Sequence, residues 1–266
     1  MMRTTVKGVS LAYDDEGTGS PVVFVHAFPL NRTMWRGQVD ALRGRWRAIA
    51  VDLRGFGESE LGGEPFTMDG CADDVFALLD ELGVNEPVVL VGLSMGGYVA
   101  FGAVRRHAHR LRALVLADTR AEPDAEEARA GRYDLARRVQ SEGMAPVIEG
   151  MLPRLLGETT RTRRPEVAAR VKALMQAASP DGVAAALRGL AERPDSRPDL
   201  ARITVPTLVV AGEEDVMTNL DSARALHEAI PGSQLAVIPA AGHLPNLETP
   251  GEFNDRLLSF LDSLGG

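Results

Sequence analysis

One serine in this chain has the surroundings of a nucleophile. Ser94 lies in Gly92-Leu93-Ser94-Met95-Gly96-Gly97, after the apolar run Val88-Val89-Leu90-Val91 and before a helix-forming stretch near Tyr98. A strand, a very tight turn and a helix, with the serine at the apex, make the G-x-S-x-G elbow, which pushes the hydroxyl out beyond the sheet. Gly92 and Gly96 leave room where the chain doubles back. Such a turn can also merely close a βα unit or cradle a phosphate, so the rest of the chemistry must be found elsewhere in the sequence. A serine hydroxyl attacks poorly at neutral pH until a base removes its proton. That base is commonly a histidine oriented by a carboxylate.

The chain has five histidines. His107 and His109 end the helix after the elbow, where a solvated cation suits the helix dipole. His227 sits mid-helix between Leu226 and Glu228. His26 follows an apolar strand and suits a bracing hydrogen bond better than proton transfer. His243 lies in the loop Pro239-Ala240-Ala241-Gly242-His243-Leu244-Pro245-Asn246-Leu247-Glu248, after a short strand and before the last helix. Loops beyond the carboxyl ends of strands carry ligand chemistry in open α/β sheets, which selects His243 as the base. The acid belongs on another such loop. Gly212-Glu213-Glu214-Asp215 directly follows an apolar strand, and Asp215 yields the chain order Ser, Asp, His expected with this elbow. Asp118, Glu213 and Glu214 are its competitors. Acyl transfer also needs N–H donors aimed at the developing oxyanion. Met95, next after Ser94, offers one amide. The loop His26-Ala27-Phe28-Pro29 offers the other, from Phe28, because Pro29 has no N–H.

These residues need a scaffold, and the hydrophobic pattern describes one. Residues 4–7 and 10–14 read as a short hairpin near Gly8. Residues 21–26, 46–51, 88–91, 111–117, 205–211 and 235–238 read as strands. Several are apolar without alternation, as strands covered on both faces are. Helical periodicity covers 68–82, 219–229 and 253–264, and a short helix follows Trp35. Strands alternating with helices predict a mostly parallel sheet. Residues 119–198 contain no strand pattern. They read as an insertion of three or four helices with breaks near Gly143, Pro153, Gly157, Pro165 and Pro180.

Composition excludes several function classes. A net charge of −8 opposes nucleic-acid binding, which needs a basic face. Cys71 is the only cysteine, so no internal disulfide forms, and its helical, apolar context reads as packing. No apolar run is long enough to span a bilayer and no signal peptide is visible. The expectation is a cytoplasmic protein acting on a small molecule, with no membrane or nucleic-acid partner; a homodimer stays open.

With the Asp52-Leu53-Arg54-Gly55-Phe56-Gly57-Glu58-Ser59 turn added, the chain resembles the α/β-hydrolase superfamily over nearly its whole length, in the branch with an inserted helical cap. The resemblance implies an α/β fold with a mostly parallel eight-stranded sheet and helices on both faces. The hydrolase core would comprise 1–118 and 199–266, with a helical cap at 119–198. It implies Ser94 as nucleophile, His243 as base, Asp215 as its orienter, Phe28 and Met95 as oxyanion donors, and no cofactor or metal. Two departures stand out: Ala27 replaces a frequent glycine, and Thr218-Asn219 stand where a proline is frequent after the acid.

Within the superfamily the chain is similar to bacterial esterases and to 3-oxoadipate enol-lactonase-like proteins. Relatives that open epoxides or cleave carbon–halogen bonds use an aspartate nucleophile, which Ser94 replaces. The implied reaction is hydrolysis of a small carboxylic ester or lactone through an acyl-enzyme. The same residues would also serve perhydrolysis, cofactor-free halogenation by way of a peracid, or carbon–carbon bond hydrolysis. A receptor built on this scaffold would be expected to have lost a triad member, and none is missing. Met144, Val147, Ile148, Met151, Leu152, Leu155 and Leu156 form an apolar stripe that reads first as core packing. Arg154, Arg161, Arg163 and Arg164 read as a solvated basic face before they read as a carboxylate site. Trp35 and Phe28 are placed on the acyl side of the site by their loop positions.

Overall fold

The computed structural model describes residues 2–265. Eight strands form one sheet: β1 (Met2–Val6), β2 (Val9–Glu16), β3 (Pro21–Val25), β4 (Arg47–Val51), β5 (Val88–Leu93), β6 (Leu111–Ala117), β7 (Thr207–Gly212) and β8 (Gln234–Ile238). Their spatial order is β1-β2-β4-β3-β5-β6-β7-β8. β1 and β2 run antiparallel, β2 meets β4 antiparallel, and every pairing from β4 to β8 is parallel. Every residue of β3, β5 and β7 is buried. That is why their sequences are unbroken apolar runs.

The helices of the sheet are α1 (Arg36–Leu42), α2 (Met68–Glu81) and α3 (Met95–His107) before the insertion, and α10 (Leu220–Ala229), α11 (Pro245–Glu248) and α12 (Pro250–Ser263) after it. α1 packs with α12 and β4, whereas α2 packs with α3, and α3 with β5 and β6. Thr67 and Asn219 cap α2 and α10 through side chains that accept from Gly70 and Ser222 backbone N–H groups. Among the described residues no helix is long and apolar enough to cross a membrane.

The segment between β6 and β7 holds five longer helices, α4 (Glu126–Glu142), α5 (Ala145–Leu155), α6 (Glu158–Arg163), α7 (Pro165–Gln176) and α8 (Pro180–Ala191), then a single turn, α9 (Arg197–Leu200). This is more than the three or four expected. Gly143 does end α4 at φ +75°, and Pro165 and Pro180 occupy first helical positions. Pro153 is no break. It lies within the last turn of α5, which continues through it to Leu155. β7 starts at Thr207 rather than Val205, because Pro206 cannot donate into a central strand.

Candidate active site

The turn between β5 and α3 holds Ser94 at φ +56°, ψ −109°. A non-glycine residue pays about 1–3 kcal/mol for such a conformation and keeps it only when the surroundings enforce it. Here they do. The Ser94 N–H donates to the Ala117 carbonyl at 2.9 Å, and the Thr119 hydroxyl donates to the Ser94 carbonyl at 2.9 Å. A Cβ on Gly92 would collide with the Gly96 backbone, and one on Gly96 with the Val25 carbonyl. Glycine at both positions is what allows a strand and a helix to meet this closely.

His243, in the loop after β8, reaches Ser94 across the sheet rim. Its Nε2 lies 2.8 Å from Ser94 Oγ and its Nδ1 lies 2.8 Å from Asp215 Oδ2. An ionised carboxylate can only accept, so Nδ1 carries the proton and Nε2 is left free to accept from the hydroxyl. Asp215 sits in the loop after β7. Burial pushes its carboxyl up, but the His243 ring, the Thr218 hydroxyl and the Met217 N–H outweigh burial and hold it below the usual range. The hydrogen bonds are 2.6 Å from Thr218 Oγ1 and 2.7 Å from the Met217 N–H. Thr218 is a residue whose role the sequence reading missed. The visible signal was a hydroxyl three residues after an acid, at the position where a proline was expected.

Glu248 was missed as well, although it stands just after His243, at the end of α11. Its buried carboxylate accepts from Gly242 and Leu244 N–H at 2.9 and 3.1 Å, and from Gly157 N–H at 2.8 Å. The His243 N–H donates to the Leu155 carbonyl at 3.1 Å. The histidine loop is therefore tied to the end of α5. Glu248→Leu would strip three buried N–H groups of their acceptor and is expected to cost at least about 3 kcal/mol. Thermal and urea unfolding read the loss, and an unchanged midpoint would refute the bracing role.

The competing acids lie in other places. Glu214 accepts from the Thr159 N–H at 2.8 Å, on α6, and the Ala240 N–H donates to Glu213 at 3.4 Å. Asp118 is buried at the end of β6 at φ +43°. Its Oδ1 accepts from the Gly212 N–H at 2.8 Å, while its Oδ2 is buried without a partner. Burial first, and the Asp215 charge second, push the Asp118 carboxyl well above its ordinary value. Asp118 and Asp215 thus form a pair of carboxyls shifted in opposite directions. Asp118, Asp215 and His243 offer atoms within 4.8 Å of one another, a spacing that could hold a metal ion. The Asp215 and His243 atoms are, however, already hydrogen-bonded to each other.

Phe28 and Met95 line the same small pocket as Ser94 and His243, a space of about 60 Å³. Among the described residues neither backbone N–H has a hydrogen-bond partner. Met95 is the first residue of α3, where N–H groups have no helical acceptor. His26 stands behind Phe28. Its Nδ1 donates to the Ala27 carbonyl at 3.0 Å and its Nε2 accepts from Leu53 N–H at 3.1 Å, and burial lowers its pKa. It braces two loops as a neutral ring.

Several sequence expectations are corrected. Trp35 does not line the site. It is fully buried, with its ring 5.1 Å from Phe24 on β3 and 6.0 Å from Phe253 on α12, where so large an apolar ring gains most from burial. His107 is not a free surface cation: it stacks on Phe76 and pairs with Asp73 at 2.8 Å. Arg164 is spent on backbone carbonyls, Ala240 at 2.6 Å and Glu248. The apolar stripe does pack as core, with Val147, Leu155 and Leu156 buried and Met144, Ile148, Met151 and Leu152 against them, and Met151 also reaches the pocket.

A family model described as the alpha/beta hydrolase fold matches residues 20–250. The chain is 30% identical to 3-oxoadipate enol-lactonase 2 of Acinetobacter baylyi, covering 94% of this chain and 92% of that protein. Its structure is similar to that of a thermophilic esterase from Thermogutta terrifontis, solved with malate bound. That likeness has TM-score 0.98 and 43% identity, over all of both chains. The enol-lactonase from Burkholderia xenovorans is also similar, at TM-score 0.91 and 29% identity, covering 98% of this chain and all of that one.

Proposed function

The chain belongs to the alpha/beta hydrolase fold family, and from that premise we propose that it is a serine hydrolase of a small carboxylic ester or lactone, working through an acyl-enzyme. One observation carries the reading: Ser94 Oγ, His243 and Asp215 form a continuous relay at 2.8 Å per step, beside two unpaired backbone N–H groups. The esterase and enol-lactonase names of the relatives support the same substrate class.

Ser94 Oγ attacks the substrate carbonyl carbon while its proton passes to His243 Nε2. Asp215 stabilises the imidazolium that forms and keeps Nδ1 protonated. The Phe28 and Met95 amides receive the oxyanion, which pulls the tetrahedral species down in energy. The carbonyl re-forms, the bond to the leaving alkoxide breaks, and Nε2 returns the proton to it. A water then repeats the sequence on the acyl-serine and releases the acid. The pocket at Ser94, about 60 Å³, suits a short acyl group. Residues 119–198 act as a cap over this rim, on a core of 1–118 and 199–266. The Leu155 carbonyl on the His243 N–H is the cap's direct link to the chemistry.

The test is covalent labelling. A fluorophosphonate probe is expected to modify one serine, with the added mass on the peptide containing Ser94. A protein that stays unlabelled, or carries the adduct on another residue, would refute the reading.

A further inference from the structure

The contact that orients the base, His243 Nδ1 to Asp215 Oδ2 at 2.8 Å, joins two separate loops. Both loops are held by one short stretch of the segment between β6 and β7, residues 155–159 at the junction of α5 and α6. On the histidine side, the His243 N–H donates to the Leu155 carbonyl at 3.1 Å. The Gly157 and Gly242 N–H groups share the Glu248 carboxylate, at 2.8 and 2.9 Å. On the acid side the holding residue is Glu214, next to Asp215 in sequence. One of its carboxylate oxygens accepts from the Thr159 N–H at 2.8 Å, and the other accepts from the Thr159 hydroxyl. The Glu214 N–H donates to the Ala241 carbonyl at 2.7 Å, two residues before His243.

The three segments meet backbone to backbone. A Cβ on Gly157 would collide with Glu214 Oε2 and with the Gly242 nitrogen, and one on Gly242 would collide with the Gly157 nitrogen. No side chain lies between these two glycines to absorb a shift of one segment against the other. Thr159 and Glu214 are half-buried, and the carboxylate of Glu214 makes the pair a charge-assisted one. None of these groups lines the pocket at Ser94. What they fix is where the loop of Asp215 stands relative to the loop of His243. A displacement of about 1 Å in such a relay can cost on the order of a hundredfold in rate.

We propose that Thr159 and Glu214 are positioning residues, and that this pair sets the place of Asp215 against His243. The inference rests on the hydrolase reading above and deepens it. The inserted helices then belong to the relay itself rather than only covering it. Without the pair, Ser94, His243 and Asp215 are all still present, but the acid's loop drifts from Nδ1. The loss falls on the transition state, where the imidazolium forms, and not on binding of the ground state.

The experiment uses the intact protein with 4-nitrophenyl acetate. Glu214→Leu removes both acceptors and is expected to lower kcat by about tenfold to hundredfold while KM changes by less than about threefold. Thr159→Val keeps the N–H and the side-chain shape and removes one hydrogen bond, for a loss in kcat of about threefold to tenfold. Thr159→Ser keeps the hydroxyl and should restore kcat to within about twofold of wild type. A second readout is independent of turnover. The downfield proton resonance of His243 Nδ1–H, identified by its absence from His243→Gln, should be unchanged in Thr159→Ser and shifted or broadened in Thr159→Val and Glu214→Leu. Should Glu214→Leu fail to fold, the two Thr159 variants decide the question. Lower melting midpoints with kcat and the resonance at wild-type values would show a brace of the fold alone and overturn this inference. Equal losses in Thr159→Ser and Thr159→Val would overturn it as well, and both results leave the hydrolase reading standing. A wild-type protein that neither turns over the ester nor takes the fluorophosphonate label overturns that reading and this inference with it.

Discussion

Ser94→Ala is expected to lower kcat for an activated aryl ester by about a million-fold, the loss seen when the nucleophile of a comparable relay is removed. The site explains the size of the effect. Among the described residues His243 Nε2 has Ser94 Oγ as its only partner, and Asp215 is aligned behind the ring. Without the hydroxyl the relay has nothing to activate, and the residual rate comes from the oxyanion donors and binding alone. The fold should not suffer. Alanine retains the Ser94 N–H bond to Ala117 and the carbonyl bond from Thr119, which are backbone contacts. Steady-state turnover with a circular-dichroism melt separates the two effects. Retained turnover with an intact melt would remove Ser94 from the mechanism.

Asp215→Asn is the second large effect, about ten-thousand-fold in kcat, because an amide can donate to Nδ1 and so favours the wrong imidazole tautomer. Asp118→Asn is the internal control. Asp118 is the other carboxylate in the pair, but its Oδ1 serves the Gly212 N–H and its Oδ2 has no hydrogen bond. Its replacement should cost less than about tenfold, since an asparagine still accepts that N–H and donates beside Asp215. The reverse ranking would transfer the acid's role to Asp118.

The pair also sets opposite pH trends in stability. Asp215, held below its ordinary value of 3.8, contributes stability above that value and loses it as the pH falls through its lower folded pKa. Asp118, pushed upward by burial and then by the Asp215 charge, binds its proton more tightly when folded. It therefore weakens the fold as the pH rises above 3.8. Asp118→Asn removes that second trend and should raise Tm near neutral pH. A lower Tm there would show that Asp118 is charged in the folded protein.

The proposed nucleophile and base were legible in the sequence because their signals are local. The Ser94 elbow is a backbone requirement, and Gly92 and Gly96 state it within five residues. His243 and Asp215 each follow an apolar strand, and parallel strands deliver such loops to one rim. Thr218 and Glu248 were not legible. Their roles depend on what their polar atoms meet after folding, and a lone threonine or glutamate has no pattern of its own. The insertion shows the same divide. Gly143, Pro165 and Pro180 mark helix ends through φ and the missing N–H, whereas Pro153 is absorbed within a last turn.

What the sequence settled by itself is the α/β alternation, the strained serine turn and the order of the acid and base along the chain. Each follows from short-range sterics or from hydrophobic period, which neighbouring residues determine. What only the tertiary structure decided is which of two buried carboxylates faces the histidine, that Trp35 turns into the core, and that Arg193 joins the local Arg120 and Arg132 around Asp124 at the pocket wall. Those outcomes depend on the approach of segments tens to over a hundred residues apart, and no local propensity encodes such distances.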